Sequence, residues 1–214
     1  MTPSVTFGRR VRPPATEEPA QAQPAIAPPH PDARAASPPA PTDRPASRTH
    51  RFAGATDHRS LDLLERDILE SVESGAVEII ILVTSPGGLL LPMLEVYRRL
   101  ISLPVKITTH AIGAVASAGT VLMMAGAERS ADPGATFLFH PVSSGPHQGA
   151  TAFQARSIER HRQLYELTAH EIYKARTRLP PDTIARFGEA TLVFDARTAV
   201  RFGIVDRIDV LAAE

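Results

Sequence analysis

Apolar positions in the stretch SLDLLERDILESVESG recur at Leu61, Leu64, Ile68 and Val72, three or four residues apart, which places them on one face of a helix. Ser60 stands where it can cap the start of that helix, and Gly75 where it can close it. The pattern then changes period. VEIIILV, at 77–83, is a nearly unbroken β-branched run, which predicts a strand buried on both faces. A Ser-Pro-Gly-Gly turn leads into a second helix that tolerates Pro92 only in its first turn. PVKITTHA, at 104–111, predicts a second strand, and a third helix follows over about 116–125. ATFLFHP predicts a third strand that ends at His140. A long charged helix is expected over about 151–178, then a short helix, Gly203 and a strand from Ile204. Strands alternating with helices over short links predict an α/β fold, with a parallel sheet covered by helices on both faces.

Residues 1–50 have no such periodicity. They hold 12 of the 20 prolines, and Phe7 is their sole aromatic residue. A segment so poor in apolar surface cannot offset its ordering entropy, so a disordered Pro/Ala-rich tail is expected there and one domain over 51–214. Charge removes some functions from view. With 23 basic and 23 acidic side chains, the chain carries no electrostatic footprint for nucleic acid or an anionic membrane surface. It has no cysteine, hence no disulfide framework and no thiolate metal site. Neither a secretory apolar core near the start nor a run of ~20 apolar residues is present, so a cytoplasmic location is expected.

In parallel α/β folds, chemistry collects where strands end and helices begin. Gly87 and Gly88 follow the first strand, Ser117 opens the helix after the second, and His140 closes the third. A serine becomes a nucleophile when a base takes its proton, and imidazole titrates near neutrality. Backbone N–H groups freed by glycines can hold the oxyanion of acyl transfer. These are parts of a serine hydrolase, set against the plainer reading that Ser117 and the glycines serve close packing. No cofactor or metal is expected. Of the other histidines, His110, His147, His161 and His170 show no partner pattern and read as surface or polar-network residues.

TSPGG, GAVASAGTVLMMAGA, FLFHP and AVRFGIVD, in that order, resemble the proteolytic subunit of the Clp protease over about 51–208. The resemblance implies a parallel sheet of the Clp and crotonase type, with flanking helices and a protruding handle helix at 151–178. It implies that Ser117 is the nucleophile and His140 the general base. The N–H groups of Gly88 and Ala118 would form the oxyanion hole, with Gly87 in the same turn. It also implies self-association into rings that enclose a chamber, unfolded polypeptide as substrate, and a separate AAA+ unfoldase. This chain has no G-x-x-x-x-G-K-[ST] pattern of its own to bind ATP. The stripe Ile158, Tyr165, Ala169 and Ile172 on the handle needs a partner surface, in its own domain or another subunit.

Three positions depart from the family pattern. Ala118 replaces a methionine, where only the main chain matters. The histidine motif reads H-P rather than H-Q-P. The acid of the family lies twelve residues before the glycine of its Y-G-L-V-D motif, and counting back from Gly203 gives Thr191. A threonine can accept a hydrogen bond from imidazole but cannot stabilise imidazolium as a carboxylate does, and losing the triad acid costs roughly 10⁴-fold in well-studied proteases. Glu189, two residues upstream, is the carboxylate that can swing in; Asp195 is better explained as a helix cap. Two readings stay open: a Clp-like serine endopeptidase with Ser117, His140 and Glu189, and a catalytically impaired subunit with a structural or regulatory role in a mixed ring. Minor alternatives are a Ser/Lys peptidase using Lys106 or Lys174, the two lysines of the chain, and a crotonase-type acyl-CoA enzyme.

Overall fold

The structure, a computed structural model, describes residues 46–143, 149 and 151–210, all within the unit Asp43–Glu214. Most of the expected tail, and His147, lie outside the described residues. Strand β1 (Ser47–Ala53) pairs in parallel with β2 (Glu78–Ser85), so residues 47–50, assigned to the tail by composition, belong to the sheet. β1 is mostly exposed and buries Phe52; backbone pairing to β2, more than side-chain pattern, makes it a strand. Between them runs α1 (His58–Glu73), burying Leu61, Leu64 and Ile68. Its cap is Asp57, not Ser60. The Asp57 carboxylate accepts from Ser60 N at 2.8 Å, while the Ser60 hydroxyl accepts from Asp57 N, a reciprocal capping box.

β2 alternates between fully buried Ile79, Ile81 and Val83 and half-buried neighbours, so its second face is only partly covered. Helix α2 (Leu90–Ser102) keeps Pro92 in its first turn, as expected. β3 (Lys106–Ala116) is longer than the apolar run suggested and divides its partners. Thr108–Ala111 pair with β4 (Glu128–Ala131), and Ala114–Ala116 pair with β5 (Thr136–Phe139), both in parallel. α3 (Ala118–Met123) is completely buried and shorter than expected. β6 (Leu192–Asp195) runs antiparallel to β5, and the two-residue β7 (Arg207–Ile208) joins β4. The sheet is otherwise parallel, in the order β1-β2-β3-β4-β7, with helices flanking it.

α4 (Ala152–Arg176) begins with a capping box between Thr151 and Gln154. Its C-terminal half buries Ala169 and Tyr173 against the core, with Tyr165 and Ile172 packed beside them. Farther toward its N-terminus Phe153, Leu164 and Leu167 are exposed. Two short helices, α5 (Pro181–Ala185) and α6 (Ala196–Arg201), flank a 3₁₀ turn (Arg186–Gly188) and β6. Asp195 caps α6 by accepting from Thr198 N at 2.7 Å, as its position suggested. The FGIVD stretch works as a clasp: Asp206 accepts from Arg129 N at 2.8 Å, and the Gly203 carbonyl accepts from the buried Arg129 guanidinium at 3.1 Å. Among the described residues no helix is long and apolar enough to cross a membrane.

Candidate active site

The β3–β5 ladder sets the two candidate residues near each other. Its last registered pair is Ala116 with Leu138, and Ser117 and His140 follow one and two residues beyond. Ser117 N donates to the Leu138 carbonyl at 2.8 Å, which ties the serine turn to the strand that delivers the histidine. Ser117 sits at φ 53°, ψ −128°, the one non-glycine residue with positive φ among those described. A side chain in that region costs roughly 1–3 kcal/mol and persists only where the surroundings enforce it.

The surroundings are glycines and a helix start. A Cβ at Gly87 would fall 2.5 Å from Ser117 Cβ and 2.8 Å from the Ala116 carbonyl oxygen, so only glycine lets the Pro86–Gly88 turn lie over the serine. The turn is fastened from the other side by buried Thr56, whose N–H donates to the Gly87 carbonyl at 3.0 Å and whose carbonyl accepts from Leu89 N at 2.8 Å. That pairing leaves the Gly88 N–H without an acceptor among the described residues. The Ala118 N–H, in the first turn of α3, has none either.

One cavity of about 320 Å³ is lined by Gly88, Ser117, Ala118 and His140, with Phe139, Phe187, Ala169 and Tyr173 as its apolar wall. Gly87, pressed against Ser117, lies just behind that lining. Glu166 and His170 of α4 also reach the cavity. Ser117 and His140 share the space without a hydrogen bond to each other. His140 Nδ1 instead contacts the Pro141 carbonyl at 2.7 Å. A carbonyl has no proton to give, so the proton sits on Nδ1 and the Nε2 lone pair is free to accept one. Burial holds the His170 imidazole below its usual range, partly offset by Glu166. Burial pushes the Tyr173 hydroxyl up to about 12. Tyr173 shares a 2.8 Å hydrogen bond with Thr120, whose hydroxyl donates to the Ser117 carbonyl at 2.7 Å.

The structure does not bring Glu189 to His140. Glu189 lies on the exposed turn after the 3₁₀ segment, its N–H bonded to the Arg186 carbonyl, and it does not line the cavity. Thr191 is exposed as well. The lysines are committed elsewhere. Lys106, at the start of β3 and thus the far end from Ser117, bridges Glu78 and Glu128, and Lys174 pairs with Glu171. Among the described residues no cluster of three or more His, Asp or Glu side chains could hold a metal ion. Sequence reasoning missed Thr56, Thr120 and Tyr173 as supports of the site. It counted Glu166 only among the charges of the handle, because nothing in a helical charge pattern marks which carboxylate turns inward.

Residues 61–210 match the family model described as Clp protease. The chain is 32% identical over 146 residues to ATP-dependent Clp protease proteolytic subunit 1 of Streptomyces avermitilis, a match covering 66% of this chain and 65% of that protein. It is 31% identical over 147 residues to proteolytic subunit 3 of Nocardia farcinica, covering 66% and 64%. It is 30% identical over 136 residues to proteolytic subunit 1 of Corynebacterium efficiens, covering 61% and 64%. The chain thus spans slightly less than two thirds of the length of these curated relatives.

Proposed function

The chain belongs to the Clp protease family, and on that premise we propose that it is a serine endopeptidase subunit working through a Ser117–His140 pair. The observation that carries this reading is the strained Ser117 backbone beneath Gly87, which presents one hydroxyl to a cavity shared with His140. Ser117 Oγ attacks the scissile carbonyl carbon as His140 Nε2 takes its proton. The oxyanion accepts from the unengaged N–H groups of Gly88 and Ala118. Imidazolium then gives its proton to the leaving amine. Water, deprotonated by His140, releases the acyl group and restores the serine. The imidazolium charge meets the dipole of the Pro141 carbonyl rather than a directly bonded carboxylate.

The substrate proposed is extended, unfolded polypeptide, which fits an apolar-walled cavity with main-chain donors. The relatives are named as subunits of an ATP-dependent protease; this reading places the subunit in a cytoplasmic ring assembly, with a separate AAA+ unfoldase supplying the ATP-driven feeding. Exposed Phe153, Leu164 and Leu167 on α4 suit contact with another subunit. A second reading follows from one observation: among the described residues no carboxylate hydrogen-bonds His140. An impaired subunit in a mixed ring accounts for that equally well. Labelling with a fluorophosphonate serine probe separates the two. The peptidase reading expects wild type to label and Ser117→Ala and His140→Ala to stay dark. Unlabelled wild type in intact oligomers, beside a labelled competent subunit, would replace it with the second.

A further inference from the structure

The peptide unit between Pro141 and Val142 has both of its polar groups occupied. Its carbonyl accepts from His140 Nδ1 at 2.7 Å, and its N–H donates to Glu166 Oε1 at 3.3 Å. A trans peptide directs these two groups to opposite edges of one plane, and the described residues contain no cis bond. Glu166 therefore stands at one edge of that peptide and the imidazole at the opposite edge. The carboxylate is not loose. Its Oε2 accepts from Arg162 Nη1 at 2.9 Å, and its side chain is 13% exposed. Arg162 Nη1 also donates to the Val142 carbonyl at 2.9 Å, and its other nitrogens bind Glu159 at 2.7 and 2.8 Å. Arg162 and Glu166 thus grip Val142 by both main-chain groups.

We propose that Glu166 is a positioning residue for His140. It acts through the Pro141–Val142 peptide and takes the part of the carboxylate that Thr191 cannot supply. The proposal rests on the reading of His140 as general base. An N–H that donates to a carboxylate polarises its amide, and the carbonyl of that amide becomes a better acceptor. The imidazole is held in the Nδ1–H tautomer with Nε2 turned to the cavity, and part of the carboxylate's field is passed to imidazolium. Arg162 cancels some of that field, so the larger effect is on orientation and the smaller on basicity. Glu166, His170 and Tyr173 are the titratable side chains lining the cavity with His140. His170, held neutral by burial, adds no charge of its own near neutral pH.

The test uses the full chain with Glu166→Gln, which keeps the acceptor and loses the charge, and Glu166→Ala, which loses both. Two rates are followed across pH: fluorophosphonate labelling of Ser117, and diethylpyrocarbonate modification of His140 read on its own peptide by mass spectrometry. The expected labelling rate falls about threefold in Glu166→Gln and about tenfold in Glu166→Ala. The pH profile of His140 modification is displaced toward lower pH in both, because a favourable negative charge has been removed. Labelling at the wild-type rate, with an unmoved midpoint, would overturn the role of Glu166 and leave the serine peptidase standing. If wild type does not label, the peptidase reading fails instead. The His140 midpoint still decides the bridge in that case: lowered in the variants it supports Glu166, unchanged it rejects it.

Discussion

Set beside Ser117 and His140, a second serine–histidine pair of the sheet is the better bonded and has fewer of the features that chemistry needs. His110 on β3 and Ser130 on β4 are register partners on neighbouring strands. Nδ1 of His110 meets Ser130 Oγ at 2.8 Å, and Nε2 meets Asp132 Oδ1 at 3.1 Å, a complete Ser–His–Asp chain. Yet His110 is 1% exposed and Ser130 2%. Neither lines the cavity at Ser117, and neither has a strained backbone. Buried polar side chains must find partners: His110 and Ser130 find each other, and half-buried Asp132 completes the chain. Ser117 and His140 differ in every respect. They are not bonded to each other, the serine backbone is forced, two N–H groups nearby lack acceptors, and the space between is open. A satisfied network stabilises a fold, whereas a reactive site keeps donors and lone pairs in reserve for something that is not yet there.

The sharpest way to break this contrast is to exchange the serines for alanine one at a time. Ser117→Ala should lower kcat/KM for a peptide substrate by about 10³-fold or more. Ser130→Ala should leave it within about twofold and instead lower the unfolding free energy by about 1–2 kcal/mol, read from denaturant curves. The reverse result would make the buried chain the active one. Next in size is Gly87→Ala. A methyl 2.5 Å from Ser117 Cβ displaces the nucleophile, with an expected loss of about 10²-fold in labelling rate. Gly134→Ala, which meets nothing within 4 Å, should label like wild type. Equal rates for the two variants would remove the argument from strain.

A smaller effect concerns pH. The folded-state pKa of His170 is lowered by burial, so as pH falls through the free-imidazole value of 6.5 the unfolded chain takes the proton first and stability drops. The loss continues until the folded form also protonates. His50 shares the direction, through burial partly offset by Asp67, so the slope of unfolding free energy against pH should shrink but not vanish in His170→Gln. An unchanged slope would mean that His170 is solvated. Smallest is Glu189→Gln, expected to leave kcat/KM within about twofold because the side chain is on an exposed turn. A tenfold loss would bring Glu189 into the site and restore a direct acid to the pair.

The residues of the candidate site were legible because small residues and turn glycines sit at strand ends, where the alternating pattern already located the carboxyl edge of the sheet. Ser117, His140 and Gly88 needed no coordinates to be noticed. β1 was not legible, since a polar, exposed strand owes its form to its neighbour's backbone and carries little periodicity of its own. β4 and β6, four residues each, are too short to show any period. The partner of His140 was beyond sequence reasoning for another reason. It is a carbonyl, and every residue has one. Thr191 is exposed and away from His140, and the groups that do meet the histidine segment come from a helix distant in sequence and from main-chain atoms that no motif encodes.

Tyr173 and Glu166 are seven residues apart on α4, two turns and about 10 Å along one face. The first steadies the serine turn through Thr120, and the second grips the histidine segment through Val142. One rigid rod thus gauges the interval between the Ser117 turn and the His140 segment. An exposed side chain of that rod can change without touching either rung, whereas its length between the two rungs cannot. A single inserted residue there would turn one rung about 100° away from the other and uncouple the pair, although every residue of the site would still be present in the gene.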